Sequence, residues 1–333
     1  MRPVASSQST LMREHLKNAL AYGVGWKATA ALLRERGLTV LMYHRIGASG
    51  GIFPCTDISQ FREQMRWLKR HCRVIEPEEF DKVLASRGRP AVRPPVLVTF
   101  DDGYRDYHEH AYPVLQELRI PSIVFLATGH IDRGDLIWTD LITYAVRRSR
   151  RRELVLPWDP ARRLTLDGVC QRLAFEQECK RFLKGASDRD RQRWQAEVLD
   201  MLGFDPAHAE LERQMLSWEE VRAMTEFTRF GGHTHNHPIL SRIDEAAAEE
   251  EIRLCRARIV EETGQEPRYF AYPNGRPCDF TESTKAALQR HGFELGFSTS
   301  PGIHRAGMDR FSIRRQPTGS RTPGDFAFLV AGR

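Results

Sequence analysis

Short apolar runs alternate with longer amphipathic segments from Leu38 onward. This alternation is typical of repeated β/α units, in which a buried strand is followed by a helix that covers the sheet. The chain is therefore predicted to belong to the α/β class, with mostly parallel strands. The candidate strands are the apolar runs Thr39–Tyr43, Val74–Ile75, Val96–Phe100, Ser122–Leu126, Phe230–Gly232, Tyr269–Tyr272, Leu295–Ser298 and Phe311–Ile313.

Amphipathic segments between these runs carry apolar residues at helical spacing. Ser217 opens the sequence Ser-Trp-Glu-Glu, which has the spacing of a capping box and predicts a helix that starts there and runs towards Met224. The other predicted helices are Phe61–Arg70, Glu78–Ala85, Tyr112–Leu118, Ala246–Glu262 and Glu282–Arg290.

Residues 131–216 interrupt the β/α rhythm with helix-rich, strongly charged sequence that includes the run Arg147–Arg152. We interpret this stretch as a helical insertion into a barrel formed by residues 38–130 and 217–320. Residues 1–37 are predicted to form an appended helical segment, and residues 321–333 a C-terminal tail.

Composition narrows the class of protein. The 333 residues, 41% of them hydrophobic, are enough to bury a sizeable core. The net charge of +6 and pI near 9.1 are mild and predict no nucleic-acid partner. Six cysteines without C-x-x-C spacing favour a reducing compartment. Lysines and glycines interrupt the apolar stretch Leu16–Leu33, so we predict no signal peptide, no membrane span and a cytoplasmic location.

Two adjacent carboxylates, Asp101 and Asp102, follow the apolar run that ends at Phe100, and Gly103 comes next. Strand ends of β/α folds point towards the active-site face. Neighbouring carboxylates repel each other unless a cation neutralises at least one, which leaves the other available as a base. The alternative is an acidic turn, because Asp and Gly are ordinary turn residues.

Three histidines within five positions, His233, His235 and His237, follow another apolar run. Neutral imidazole is a preferred ligand of zinc and similar metals, and two histidines with one carboxylate leave coordination sites for water and substrate. The alternative is a solvated loop or a set of partly buried histidines without a metal.

In combination these two segments resemble the polysaccharide deacetylase family, carbohydrate esterase family four. Residues Thr99 to Gly103 are similar to its first motif and His233 to His237 to its second, over a resemblance that covers residues 38–126 and 216–318. It implies a distorted (β/α) barrel of about seven parallel strands with a helical insertion. It also implies that Asp101 is the general base and that Asp102, His233 and His237 hold a divalent metal, with Zn²⁺ expected.

The third motif of the family departs from its pattern here, because Ala271 stands where an arginine is usual. The resemblance suggests that Arg315 replaces that arginine and orients Asp101, with Arg314 the weaker candidate. The alternative is that Arg315 is an ordinary surface arginine. The predicted substrate-binding residues are Tyr104, Tyr272, Pro273 and Asn274.

His44 follows the first apolar run in the sequence Leu-Met-Tyr-His. This opening resembles the exopolysaccharide deacetylase branch of the family, where the corresponding histidine is the catalytic acid, and no Leu-x-His motif occurs near the C-terminus. A histidine at a strand end is otherwise commonly a packed or solvated residue.

The resemblance implies hydrolysis of N-acetyl groups on amino sugars, in an acetylated polysaccharide or glycan precursor. A catalytically impaired sugar-binding barrel, or another metal-dependent amide or ester hydrolase, is the alternative. The run Arg147–Arg152 is interpreted either as a peripheral contact with anionic membrane or as a solvated helix face. No obligate protein partner is inferred.

Overall fold

The computed structural model describes residues 37–85, 93–206, 211–319 and 321–332. The helical segment predicted over residues 1–37 thus lies, apart from Gly37, outside the described residues. The strands, in chain order, are β1 (Thr39–Tyr43), β2 (Ile46–Gly47), β3 (Thr56–Asp57), β4 (Arg73–Val74), β5 (Pro95–Phe100), β6 (Ser122–Leu126), β7 (Glu153–Leu156), β8 (Asp159–Thr165), β9 (Thr228–Gly232), β10 (Tyr269–Ala271), β11 (Leu295–Phe297) and β12 (Gln316–Pro317).

A parallel sheet forms the centre of the fold, with its strands in the order β11, β10, β9, β6, β5, β1, β12 and with β4 beside the start of β5. Strands β1, β5 and β6 are apolar and buried along their whole length. Such continuous burial is typical of parallel strands that are covered on both faces. The predicted α/β class and distorted (β/α) barrel are confirmed.

Strand register brings the carboxyl ends of these strands to one edge. Tyr43 lies opposite Phe100, and Phe100 lies opposite Val124. Leu126, two residues after Val124, lies opposite Gly232. The residues that follow β1, β5 and β9 therefore meet at one edge, which we call the catalytic edge.

The barrel closes through an irregular segment. Ile313 makes one isolated parallel bridge to Phe297 of β11, and β12 then pairs in parallel with β1. The strand predicted at Phe311–Ile313 is thus wrong in extent, because the regular pairing begins only at Gln316. The Asp309 side chain accepts a hydrogen bond from the Phe311 N–H at 2.8 Å, so this backbone forms a turn rather than a ladder.

Helices connect the strands and pack around the sheet. They are α1 (Ile58–His71), α2 (Phe80–Ala85), α3 (Tyr112–Leu118), α4 (Thr128–Arg133), α5 (Trp138–Arg148), α6 (Val169–Gly185), α7 (Asp188–Met201), α8 (Trp218–Ala223), α9 (Glu245–Thr263), α10 (Glu282–Arg290) and α11 (Pro323–Val330).

Capping side chains explain where several predicted helices begin. Ser217 forms the predicted capping box with Glu220, and α8 starts directly after it. Helix α1 begins at Ile58, three residues before the predicted start, because Asp57 accepts hydrogen bonds from the first backbone N–H groups. None of the described helices combines the length and the apolar character that crossing a membrane requires.

The predicted insertion contains the helices α5, α6 and α7, together with the antiparallel hairpin β7–β8, which the sequence pattern did not predict. Burial alternates along β7, with Leu154 and Leu156 facing inward. The ring of Trp158 in the hairpin turn stacks on Phe182 of α6 at 4.2 Å and meets Trp194 of α7 edge-on. Strand and helices of the insertion thus share one aromatic cluster.

Residues 321–333, predicted to be a tail, contain the helix α11. Thr322 caps its first turn, and its apolar residues are mostly buried. Phe326 packs edge-on against Trp67 of α1 at 5.8 Å, and the Thr39 hydroxyl donates to the Val330 carbonyl at 2.9 Å. The high apolar content of this helix explains why it covers β1 instead of extending into solvent.

His304 is a buried histidine at the edge of the fold remote from the sequence motifs. Its side chain is 0% exposed, and neither ring nitrogen has a hydrogen-bond partner among the described residues. Its ring packs against Phe80 at 5.7 Å. Burial lowers the pKa of His304 to about 4, because the charged ring would lose its hydration.

This burial predicts a loss of stability in acid. Between pH 6.5 and 4 the unfolded chain binds a proton on His304 and the folded chain does not, so the free energy of unfolding should fall by about 2 kcal/mol from this residue between pH 7.5 and 5. His304→Phe should reduce the loss measured by urea unfolding at pH 7.5 and 5. The same substitution at His108, whose side chain is 39% exposed, is the control. Equal pH dependence in both variants would contradict the assignment.

Candidate metal centre and active site

Asp102, His233 and His237 form a buried cluster at the catalytic edge. The Nε2 atoms of both histidines lie 3.2 Å from the same oxygen, Oδ1 of Asp102. The three side chains are the only described group whose ligand atoms lie close enough together to hold a metal ion. A tetrahedral zinc ion with bonds of about 2.0–2.1 Å separates its ligand atoms by roughly 3.3 Å. The donor set and its spacing fit a divalent metal.

The tautomer of His233 points to a cation in this cluster. Its Nδ1 lies 2.7 Å from the carbonyl oxygen of Ala271, so Nδ1 carries the hydrogen and donates it. In a neutral ring, Nε2 then turns a lone pair towards the Asp102 carboxylate. Two acceptors face each other at this point unless a proton or a metal ion lies between them.

The protonation equilibria of the cluster follow from burial and from the short contacts. Burial alone raises the pKa of Asp102, but hydrogen bonds with His233 and His237 bring it well below its ordinary value. Burial lowers the pKa of His237 to about 4, so this ring is neutral at pH 7. Burial also acts to lower the pKa of His233, yet the hydrogen bond with Asp102 and the two nearby carboxylates raise it. The cluster therefore favours one extra positive charge beside Asp102.

Backbone strain concentrates around this cluster. Asp102, Thr234, His237 and Asn274 have φ angles of 78°, 63°, 56° and 60°. Non-glycine residues in this left-handed region cost about 1–3 kcal/mol each and are retained where the surroundings hold them. Thr234 helps to hold the loop, since its hydroxyl donates to the His233 carbonyl at 2.6 Å and accepts from the His237 N–H at 3.0 Å.

Asp101 lies beside the cluster and pairs with a different partner. Its two oxygens accept hydrogen bonds from Nη1 and Nη2 of Arg315 at 2.6 and 2.8 Å. Both side chains are almost inaccessible to solvent, at 3% and 0% exposure. Burial alone raises the pKa of Asp101, but the Arg315 guanidinium, with His233 and His44, lowers it below its ordinary value. The arginine predicted from the sequence therefore contacts the predicted base, and the surface alternative for Arg315 is wrong.

His44 faces the same place from the end of β1. Its Nε2 lies 3.9 Å from Oδ2 of Asp101, and its side chain is 47% exposed. A cavity of about 710 Å³ opens here, and it is lined by His44, Asp101, Asp102, His233 and His237 among others. The first and second motifs and the histidine of β1 are thus brought together at one opening.

The predicted substrate-binding residues divide into two groups. Tyr104 and Asn274 line the cavity. Tyr272 is 1% exposed, stacks on Phe280 at 3.9 Å and donates its hydroxyl hydrogen to the Phe311 carbonyl. Tyr272 and its neighbour Pro273 are buried and do not line the cavity, so the structure gives them a packing role in the loop that carries Asn274.

Arg45, which the sequence pattern does not single out, connects the catalytic edge to the predicted insertion. Its guanidinium donates to Oδ2 of Asp140 at 2.6 and 3.1 Å and to Asp106 at 3.2 Å. It also lies over the rings of Tyr104 and Phe53, at 3.6 and 4.3 Å from their centroids. Burial alone lowers the pKa of Arg45, but Asp140 and its other neighbours raise it. The sequence signal for this network is only a basic residue two positions after an apolar run.

Comparison with known proteins places the chain in a family. The model of a family described as Polysaccharide deacetylase matches residues 88–172 and 180–296, more than half of the chain. A poly-beta-1,6-N-acetyl-D-glucosamine N-deacetylase of Staphylococcus aureus is 34% identical over 86 residues, which are 26% of this chain and 29% of that protein. The matched stretches span about a third of the length of such relatives.

Solved structures share the fold. The deacetylase PplD of Streptococcus pyogenes, in complex with acetate, aligns with a TM-score of 0.60 at 17% identity over 89% of this chain and 99% of that one. IcaB from Ammonifex degensii aligns with a TM-score of 0.56 at 22% identity over 90% of this chain and 99% of that one.

The geometry predicts which residues are needed to bind a metal. His237→Ala and Asp102→Asn should each weaken Zn²⁺ binding at least about a hundredfold, since each removes a ligand. Asp101→Asn should retain binding within roughly tenfold, because Asp101 contacts Arg315 and not the cluster. Titration against a chromophoric chelator measures all three. Unchanged affinity in His237→Ala would place the metal elsewhere.

Proposed function

The chain belongs to the polysaccharide deacetylase family, and on that premise we propose that it is a metal-dependent hydrolase that removes N-acetyl groups from amino sugars. The observation that carries the proposal is the buried Asp102–His233–His237 cluster beside a second carboxylate, Asp101, that stays outside it. Metal-dependent deacetylation needs ligands for the ion and a base that is not itself a ligand, and Asp101 has the position that such a base requires. An acetylated polysaccharide or glycan precursor is the proposed substrate, consistent with the substrate in the name of the staphylococcal relative.

We assign a divalent metal, Zn²⁺ by preference, to Asp102, His233 and His237. When bound, such an ion polarises the acetyl carbonyl and lowers the pKa of the attacking water to about 7. Asp101 accepts the proton of that water as general base. Its low pKa keeps it ionised, and the bidentate contact with Arg315 fixes the orientation of both its oxygens. Arg315 is therefore a positioning residue.

His44 is assigned the role of the acid that protonates the departing sugar amine. Three observations support this role: its ring lines the cavity, it lies 3.9 Å from Asp101, and it is partly open to solvent and substrate. The neighbouring Arg45 is held by Asp140 and Asp106, which restricts the backbone that carries His44.

The alternative of a catalytically impaired sugar-binding barrel is less favoured. It rested on Ala271 in place of the usual arginine. Arg315 reaches Asp101 from the closing segment of the barrel, so the base has its guanidinium partner from another position in the chain. Metal binding alone requires no partner for Asp101.

Two substitutions test the assigned roles in an acetate-release assay with an acetylated glucosamine oligomer. Asp101→Asn should keep the metal and lose a factor of about 10² to 10⁴ in kcat, since the base is removed and the ligands are not. His44→Ala should lower kcat and abolish the alkaline limb of the pH–rate profile, because that limb reports loss of the acid proton. Full turnover in Asp101→Asn would refute the base, and an unchanged alkaline limb would refute the acid.

The cytoplasmic location predicted from the sequence stays a prediction, and contact with an anionic membrane surface is proposed for part of the arginine run. Arg147 is engaged by Glu176 at 3.4 Å, whereas Arg150, Arg151 and Arg152 are exposed in the connection that precedes β7. Val155 on β7 is 38% exposed, although it is a large apolar residue. An exposed apolar side chain three positions after a run of exposed arginines is suited to an anionic bilayer.

Co-sedimentation with vesicles that contain phosphatidylserine tests this surface. Replacing Arg150, Arg151 and Arg152 by serine should weaken binding by about 3 kcal/mol, roughly a hundredfold at low salt. The control is serine at Arg66, Lys69 and Arg70 of α1, which removes the same charge from another exposed surface. An equal loss of vesicle affinity in both variants would show that net charge alone causes the effect. An unchanged affinity in the first variant would refute the proposal.

A further inference from the structure

Basic side chains from outside the catalytic motifs line the cavity at the catalytic edge. Lys180 and Lys184 come from α6 of the insertion, one helical turn apart. Arg276 comes from the loop between β10 and α10, and Arg321 precedes α11. These cations line the same opening of about 710 Å³ as the metal cluster, Asp101 and Asp140. The electrostatics of the opening therefore depend on which of these charges are already neutralised.

Most charges that line the cavity have a partner. Asp101 is paired with Arg315 and Asp140 with Arg45. Lys180 pairs with Glu176 at 2.7 Å, and Arg276 pairs with Asp279 at 3.1 Å. The carboxylates of the cavity wall are thus engaged, and none of these pairs involves Lys184.

The side-chain ammonium of Lys184 has no hydrogen bond or ion pair with the described part of the chain, and the side chain is partly buried. Burial, together with the positive charges of Lys180 and Arg276, lowers the pKa of Lys184. The carboxylates of Asp279, which is already paired with Arg276, and of Asp102 oppose that shift without reversing it. A partly desolvated ammonium group beside two other cations is unfavourable unless an anion lies next to it.

We propose that Lys184, with Arg276 beside it, forms a subsite for an anionic group that is covalently attached to the glycan substrate. This inference rests on the proposed function and adds to it the charge of the substrate. A phosphate ester and a sugar carboxylate share the necessary oxyanion chemistry, and both accept charge-assisted hydrogen bonds from ammonium and guanidinium groups. The subsite is built by helix α6 and the loop between β10 and α10, and it lines the same cavity as the metal cluster, so it would select among substrates that reach that cluster.

Binding measurements test this subsite without relying on turnover. Calorimetric titrations use the metal-loaded, full-length Asp101→Asn chain, which leaves acetylated probes intact. The probes are three N-acetylglucosamine disaccharides that are neutral, phosphorylated or linked to a uronic acid. We expect at least one charged probe to bind about tenfold more tightly than the neutral one, and the charged probe that does so identifies the source of the anion.

Lys184→Gln should remove the preference for the charged probe and leave the Kd of the neutral probe unchanged, whereas Lys184→Arg should retain the preference. Arg181→Gln is the matched control, because Arg181 is exposed on the same helix and does not line the cavity. Lys184→Gln should also have the same or a higher Tm, because it removes an unpaired cation. Phosphate bound directly to the metal would leave the preference intact in Lys184→Gln.

Equal Kd values for all three probes, or a preference that survives Lys184→Gln, would overturn the subsite. Acetate release by the unaltered chain is measured separately. Release from every probe with equal Kd would leave the proposed function standing and remove the subsite. A charge preference that depends on Lys184, without acetate release from any probe, would support the subsite and contradict the proposed function.

Discussion

The bidentate contact between Arg315 and Asp101 is the interaction on which the catalytic edge depends. Both groups are shielded from water, and removal of either one leaves an uncompensated charge in the interior. Arg315 belongs to the segment that links the Ile313 bridge to β12, and that segment closes the barrel between β11 and β1. Closure of the barrel and orientation of Asp101 therefore depend on the same segment, because the residue directly before β12 carries the guanidinium.

Much of this arrangement was predictable because it depends on local sequence. The apolar runs of β1, β5 and β6 are long enough to identify buried strands, and the residues directly after parallel strands necessarily meet at one edge. That rule predicts that Asp101, Asp102 and the loop that carries His233 and His237 lie at the same edge of the sheet. Arg315 was harder to assign, because its role depends on a contact with a residue more than two hundred positions earlier in the chain.

Other features could not be predicted because their signals are weak or distributed. The hairpin β7–β8 has alternation over only four residues of β7, and β8 is almost entirely exposed, so neither strand has a strong periodic pattern. The sequence predicts a tail at residues 321–333 because the residues of α1 and β1 that α11 packs against lie far away in sequence. The position of Tyr272 in its motif predicts contact with the substrate, but the stack on Phe280 makes this residue part of the core.

Lys184 belongs to a helix whose orientation towards the cavity only the tertiary structure reveals.

The buried guanidinium of Arg45 limits how this chain can be shortened. It donates to Asp140, on the first long helix of the predicted insertion, while its own backbone belongs to the predicted barrel. Deletion of residues 131–216 would remove Asp140 and also Gln214, and of these three acceptors only Asp106 would remain. A positive charge that loses most of its partners costs several kcal/mol where it stays shielded from water. A minimal barrel cut from this chain therefore needs an apolar residue in place of Arg45.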